Sequence, residues 1–261
     1  MTHMFMKGCF SFTYLCTVRR KALPKLSTGV ILGASLVGVT TALDVAASNL
    51  SFLYISVTFF VMLKSASMVF ILAAGAITCI ERCSARIIGA VFVISSGIFL
   101  ASYGEAEFNM FGFLLVLSSE VFAAVRWVVT QMVLQGGKLD SMTAVFFMSP
   151  ASTMCLAPIV VGMEAHKVDV FSSAHSGAQY LLITMFPGFL SFLLLLVEVQ
   201  LVKETSSLTL SVFGNLKSIL TILLAILLFG ESATPLQWVG LGIALAGMAA
   251  YSRAKRRQLQ A

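Results

Sequence analysis

Two lysines carry most of the chemistry this sequence can do. Lys64 and Lys217 occupy the same eight-residue context: TFFVMLKS from Thr58 to Ser65, and SVFGNLKS from Ser211 to Ser218, 153 residues further on. Phe60/Phe213, Leu63/Leu216, Lys64/Lys217 and Ser65/Ser218 are identical pairs, and Thr58/Ser211 and Ser56/Thr209 keep a hydroxyl. Each lysine lies about ten residues from either end of an apolar run, or about 15 Å along a helix axis. A lysine side chain cannot snorkel that far. An ionisable group at bilayer depth is costly, and a functional site is its default reading. The chemistry on offer is capture of an anion, since a protonated lysine serves phosphate or carboxylate as a point charge. The alternative is structural: each lysine pairs with a buried acid such as Asp44 or Glu120.

Other candidates cluster near these two. Ser207, Ser211, Gly214, Ser218 and Thr221 recur at steps of four and three, which places them on one helix face bordered by Lys217. Such a face lines a cavity or lets helices pack closely. Asn215 projects about 200° from Lys217 around the helix, so the two need not share a ligand. Arg126, beside Trp127, suits bidentate phosphate contact or partial snorkelling. Glu120 is six residues from Arg126 and faces another way, which argues against an intrahelical pair. Asp44, near the non-cytosolic end of its span, reads as interfacial. No metal-ligand cluster, Gly-rich phosphate loop or nucleophile elbow is present, and His3, His166 and His175 fall outside the apolar runs. The five cysteines are odd in number and show no metal spacing. The expectation is a protein that is not an enzyme and needs no metal or cofactor.

The elements that must position these residues are membrane helices. Of 261 residues, 59% are hydrophobic and 11% charged, and the mean hydropathy is +0.98, which places the chain among polytopic membrane proteins. Eight spans are expected: Thr28–Ala47, Tyr54–Ile80, Arg86–Gly104, Met110–Gln135, Met142–Met163, Ala178–Leu201, Ser206–Phe229 and Leu236–Ser252. Residues 1–26 form a cytosolic N-terminal segment, 27–252 a single transporter domain, and 253–261 a basic cytosolic tail. With eight spans, both termini share one side. That side holds Lys7, Arg19, Arg20, Lys21, Lys25, Arg82, Arg86, Lys138, Lys203, Arg253, Lys255, Arg256 and Arg257, while the other holds Lys167 alone. The bias puts both termini in the cytosol. It also accounts for the +6 net charge without a nucleic-acid partner. Lys64 and Lys217 lie on the second and seventh spans, so the two copies cross the membrane in opposite directions. That is the plan of an inverted-repeat transporter. The incomplete first half, about 27–107, has two helices fewer than its counterpart, about 108–252. The expected fold is an all-α membrane protein derived from a ten-helix, five-plus-five architecture whose first two helices are lacking, with residues 1–16 a remnant.

At this point several stretches resemble a known family. ALDVAASNLSFLYISVTFFVMLKSASMVF (Ala42–Phe70), GEAEFNMFGFLLVL (Gly104–Leu117), the series Arg126, Trp127, Thr130, Gln131, Leu134 and Gln135, and SSLTLSVFGNLKSILTILLAILLFGE (Ser206–Glu231) are similar to the triose-phosphate-translocator domain. Plastid sugar-phosphate translocators share this domain with nucleotide-sugar transporters of the solute carrier 35 group, in the drug/metabolite transporter superfamily. The first stretch is most similar to the group-C members linked to GDP-fucose. The resemblance implies two inverted five-helix halves and alternating-access exchange in Golgi, endoplasmic reticulum or plastid membranes. It also implies phosphate contact by the lysines that match Lys64 and Lys217. Ser218 stands where plastid translocators carry arginine. Phe146-Phe147-Met148-Ser149 stands where GDP-mannose carriers have FYNN, and Asn215 is separated from Lys217 by Leu216, where those carriers have the two side by side.

The expected function is therefore a secondary transporter, an antiporter, of nucleotide sugars or sugar phosphates in a Golgi or endoplasmic-reticulum membrane, with the plastid envelope as the other candidate. Its partners are an anionic small-molecule substrate, an exchanged nucleotide or phosphate, the lipid bilayer and, as a candidate, a second copy of the chain. Lys64 and Lys217 would hold the phosphate. Ser65, Ser218 and Thr58 would supply hydroxyls, and Ser211, Gly214, Asn215 and Arg126 complete the candidate site. The alternative is a transport-inactive truncated member or a regulatory membrane partner.

Overall fold

The chain is an all-helical membrane protein. Its structure, a computed structural model, describes residues 8–13, 27–55, 60, 63–64, 67–80, 84–102, 109–136, 139–174, 177–229 and 235–260. Among the described residues there is no strand. The elements are α1 (Thr28–Ser51), α2 (Ser67–Ile77), α3 (Ala85–Ser102), α4 (Met110–Gln131), α5 (Ser141–Ala174), α6 (Gly177–Glu204), α7 (Ser207–Phe229) and α8 (Pro235–Gln260). A π turn, Met132–Gly136, extends α4, and 8–13 is helical. Four stretches are long and apolar enough to cross a membrane: Thr28–Ser51, Met110–Gly136, Ser141–Ile159 and Met185–Glu204. Helices suit this composition because lipid offers nothing to satisfy a backbone N–H or C=O, and a helix satisfies its own. The embedded hydroxyls follow the same rule. Thr40, Thr41, Ser119, Thr130, Ser149 and Thr153 each donate to a carbonyl three or four residues back, at 2.6–2.9 Å for the shortest bond of each.

Local chemistry sets several ends. The Asn109 side chain accepts from the Gly112 N–H at 3.1 Å and caps α4, and Ser84 accepts from Ile87 at 3.3 Å ahead of α3. The end of α2 is a Schellman closure: Cys79 N–H donates to Ala76 at 3.1 Å and Ile80 N–H to Gly75 at 3.0 Å. Cys79 holds φ at 55°, the left-handed position that glycine usually fills.

Some ends differ from the sequence expectation. α1 runs on to Ser51 instead of Ala47, α5 to Ala174 instead of Met163, and α8 through the basic tail to Gln260. Lys167 and the Arg253–Arg257 cluster interrupt hydropathy, but lysine and arginine are good helix formers and do not interrupt the helix. Pro150 and Pro158 lie inside α5 and Pro187 inside α6, so these prolines do not end helices either.

The chain divides into two compact units, Met1–Ala46 with Val125–Ser206, and Ala47–Ala124 with Ser207–Ala261. The boundaries fall inside α1 and α4. In the first unit α1 meets its neighbours through glycines: a Cβ on Gly38 would lie 2.4 Å from Ala151 Cβ, and one on Gly33 2.6 Å from Val133. Gln135 Nε2 donates to the Val202 and Thr205 carbonyls, both at 3.1 Å, tying the π turn to the end of α6. In the second unit α3 packs on α8 almost backbone to backbone. A Cβ on Gly97 would lie 2.5 Å from the Ala244 nitrogen and 2.8 Å from the Gly240 carbonyl oxygen, and one on Gly247 2.9 Å from the Ile94 nitrogen. Small residues are what permit so close an approach between membrane helices. α2 packs on α7 in the same unit.

Candidate functional site

Lys64 belongs to the second unit, in helical backbone just ahead of α2. Its Nζ lies 3.4 Å from Glu120 Oε1, contributed by α4. The Glu120 side chain is fully buried, whereas that of Lys64 is 43% exposed. The ammonium also sits 4.9 Å from the centre of the Phe60 ring, within cation–π range. Phe60, Leu63, Ile55 and Val116 form the apolar cluster beneath it. A buried carboxylate without a countercharge would be prohibitive, and Lys64 supplies the charge. At 3.4 Å the pair is looser than a charge-assisted hydrogen bond of 2.7–2.9 Å. Lys64 thus has a buried acid on one side and open space on the other.

Lys217 lies on α7, exposed together with Gly214. Ser207, Ser211 and Asn215, at successive steps of four, are buried, with Asn215 4% exposed. The polar stripe expected on α7 is therefore split among its described side chains: Ser207 and Ser211 turn inward, as does Asn215, and Gly214 opens outward with Lys217. Ser211 Oγ meets Ser67 Oγ of α2 at 3.5 Å. Ser211 opens the second repeat copy and Ser67 lies two residues past the first, and neither Ser67 nor the pairing stood out in the sequence. Asn215 Nδ2 is buried with no hydrogen-bond acceptor. Thr209 and Tyr251 hydroxyls are 3.3 Å apart, another link of α7, here to α8. Thr58 and Ser65 lie outside the described residues, and so does the side chain of Ser218.

Arg126 and Asp44 belong to the first unit. Arg126 Nη2 lies 3.1 Å from Asp44 Oδ2, and the guanidinium packs 4.9 Å from the Trp127 ring centre. Asp44 is buried on α1, and Arg126 supplies its countercharge. Arg126 and Glu120, both on α4, face different partners, as their six-residue spacing implies. Among the described residues no group of three or more His, Cys, Asp or Glu could hold a metal ion. The chemical capacity of the site is electrostatic: a half-exposed ammonium with a buried counter-ion, and a second exposed lysine on α7, which packs against α2 and also carries buried hydroxyl and amide groups.

Comparison with known proteins gives the family of the chain. The family model described as the Triose-phosphate Transporter family matches residues 1–252. A probable sugar phosphate/phosphate translocator of Arabidopsis thaliana is 33% identical over 232 residues, covering 84% of this chain and 55% of the relative. UDP-uronic acid transporter 1 of the same plant is 27% identical over 263 residues, covering 98% of this chain and 85% of the relative. A further probable sugar phosphate/phosphate translocator is 32% identical over 227 residues, covering 86% of this chain and 64% of the relative. The family consists of transporters, not enzymes. The chain belongs to the triose-phosphate transporter family.

Proposed function

We propose that this protein is a secondary carrier for a sugar bearing phosphate, either a sugar phosphate or a nucleotide sugar. It exchanges that substrate for phosphate or a nucleotide by alternating access. The observation that supports the reading is the direct packing of α7, the helix of Lys217, on α2, which begins three residues after Lys64, with Ser67 against Ser211 at 3.5 Å. In the inverted arrangement we propose, Lys64 would stand level with Gly214, each three residues from the Ser67–Ser211 contact. Lys217 is then three residues away, about 4.5 Å along the axis. Two ammonium groups so placed grip a phosphate from both halves of the repeat. Gly214 leaves room beside them and Ser65, Ser218 and Thr58 add hydroxyls, while Ser211 and Asn215, buried on another face of α7, are the remaining polar candidates. Arg126, engaged with Asp44 within the first unit, is a separate candidate anion contact.

The similarity to relatives named for sugar phosphates and for UDP-uronic acid supports the choice of ligand. The chemistry common to both is a phosphate ester on a sugar, which is what a lysine pair recognises. The eight-span arrangement, with both termini cytosolic in a Golgi or endoplasmic-reticulum membrane, completes the proposal. The test is counterflow. Proteoliposomes preloaded with inorganic phosphate or a nucleoside monophosphate should take up labelled sugar phosphate or nucleotide sugar saturably, and empty vesicles should not. Equal uptake by loaded and empty vesicles would refute exchange. Uptake of neither substrate class would refute the reading as a whole.

A further inference from the structure

The mechanism above leaves one charged group unused. Glu120 is completely buried, on a different helix from Lys64, and touches the same ammonium that the substrate would need. We propose that Glu120 is an internal stand-in for substrate: it neutralises Lys64 while the site is empty, and the phosphate of the incoming ligand displaces it. This rests on the reading of Lys64 as a phosphate contact.

Three features of the geometry support it. First, an empty carrier must not leave a lysine unpaired at bilayer depth, because the charge is costly there. A built-in carboxylate removes that cost whenever substrate departs. Second, the pair is loose. At 3.4 Å it is an ion pair rather than a tight hydrogen bond, so the partner is exchangeable. Third, the two members differ in access. Lys64 is 43% exposed and can receive a ligand without leaving its place, whereas Glu120 is sealed within the protein and cannot itself be reached by one. The Phe60 ring, 4.9 Å from the ammonium and part of the apolar cluster with Leu63, Ile55 and Val116, stays beside the lysine while it changes partner. Substrate and Glu120 are then competitors for one cation. Competition of this kind weakens binding and speeds release, which favours turnover over affinity.

The proposal is tested on the purified full-length chain, with inorganic phosphate as the probe in isothermal titration and sugar phosphate in proteoliposome exchange. Glu120→Gln removes the competing charge. It should bind phosphate about tenfold more tightly than the wild type, a typical coupling between two ligands of one group. In exchange it should lower both KM and the maximal rate, because release becomes slow. The double variant K64A/E120Q should lose the gain and bind more weakly than the wild type, which a merely structural role for Glu120 would not produce. If Glu120→Gln does not fold, Glu120→Asp retracts the carboxylate by one methylene and should tighten binding by a smaller factor. Phosphate binding equal to or weaker than that of the wild type in the folded variant overturns the proposal, as does tightening that persists without Lys64. Failure of the wild type to bind phosphate at all would instead remove the carrier reading on which the proposal depends.

Discussion

At the residue scale the chain solves one problem twice: how to keep a cation inside an apolar bundle. Lys64 is set against Glu120 and Arg126 against Asp44. The two pairs differ in tightness and access. Arg126–Asp44, at 3.1 Å with both members mostly buried, is the better-sealed pair. Removing one partner of such a pair leaves the other uncompensated. Asp44→Ala should therefore cost about 3 kcal/mol, measured as the free energy of unfolding in detergent. Asp44→Ala combined with Arg126→Met should recover most of that loss, because an apolar replacement of both members is close to neutral. A single variant as stable as the wild type would show that the pair carries no weight. The identities of these charged residues were legible in the sequence, and the six-residue spacing on α4 correctly set Glu120 apart from Arg126. Their partners were legible only in part: Glu120 and Asp44 were both candidates for the lysines, and Glu120 does meet Lys64, whereas Asp44 meets Arg126. Which acid meets which cation depends on how α1, α4 and the 60–64 region pack, and no local pattern encodes that. The split of the α7 stripe was hidden for the same reason: a helical wheel shows that Ser207 and Ser211 share a face, but not which neighbour covers it.

At the element scale, glycine and a single strained cysteine decide more than hydropathy does. α3 and α8 touch where Gly97 meets Ala244 and Gly240. Gly97→Val puts a side chain into backbone that cannot move, and should destabilise the protein by about 3 kcal/mol. Gly89, on the same helix with nothing within 4 Å, is the control. Gly89→Ala should be neutral or stabilising by about 0.5 kcal/mol, through helix propensity alone. Thermal unfolding of the two variants side by side distinguishes packing from propensity. The left-handed Cys79 gives the opposite sign. Cys79→Gly keeps the Schellman closure of α2 and relieves the Cβ strain, and should stabilise by about 1 kcal/mol. Helix positions followed from apolar run length, and α4, α6 and α7 fall where expected to within a few residues. The ends of α5 and α8 did not follow, because hydropathy marks where lipid is tolerated, whereas the helix continues for as long as its backbone bonds do.

At the scale of the whole molecule, family membership and composition make a membrane protein of the triose-phosphate transporter family, and the repeated lysine motif is the centre of the carrier we propose. Topology has a direct check. Cys79 is exposed in the turn after α2, on the side that the arginines at 82 and 86 mark as cytosolic. An impermeant maleimide should label Cys79 in sealed vesicles only from the cytosolic face, and labelling from the lumenal face alone would invert the proposed orientation. The most direct test of the central claim is phosphate-driven exchange in proteoliposomes carrying Lys217→Ala, or Lys64→Ala paired with Glu120→Gln so that no acid is stranded. With folding verified by thermal unfolding, each should lose exchange by about 100-fold, the size of a charged contact worth 2–3 kcal/mol. Exchange at the wild-type rate in either would contradict a site built on these two amines.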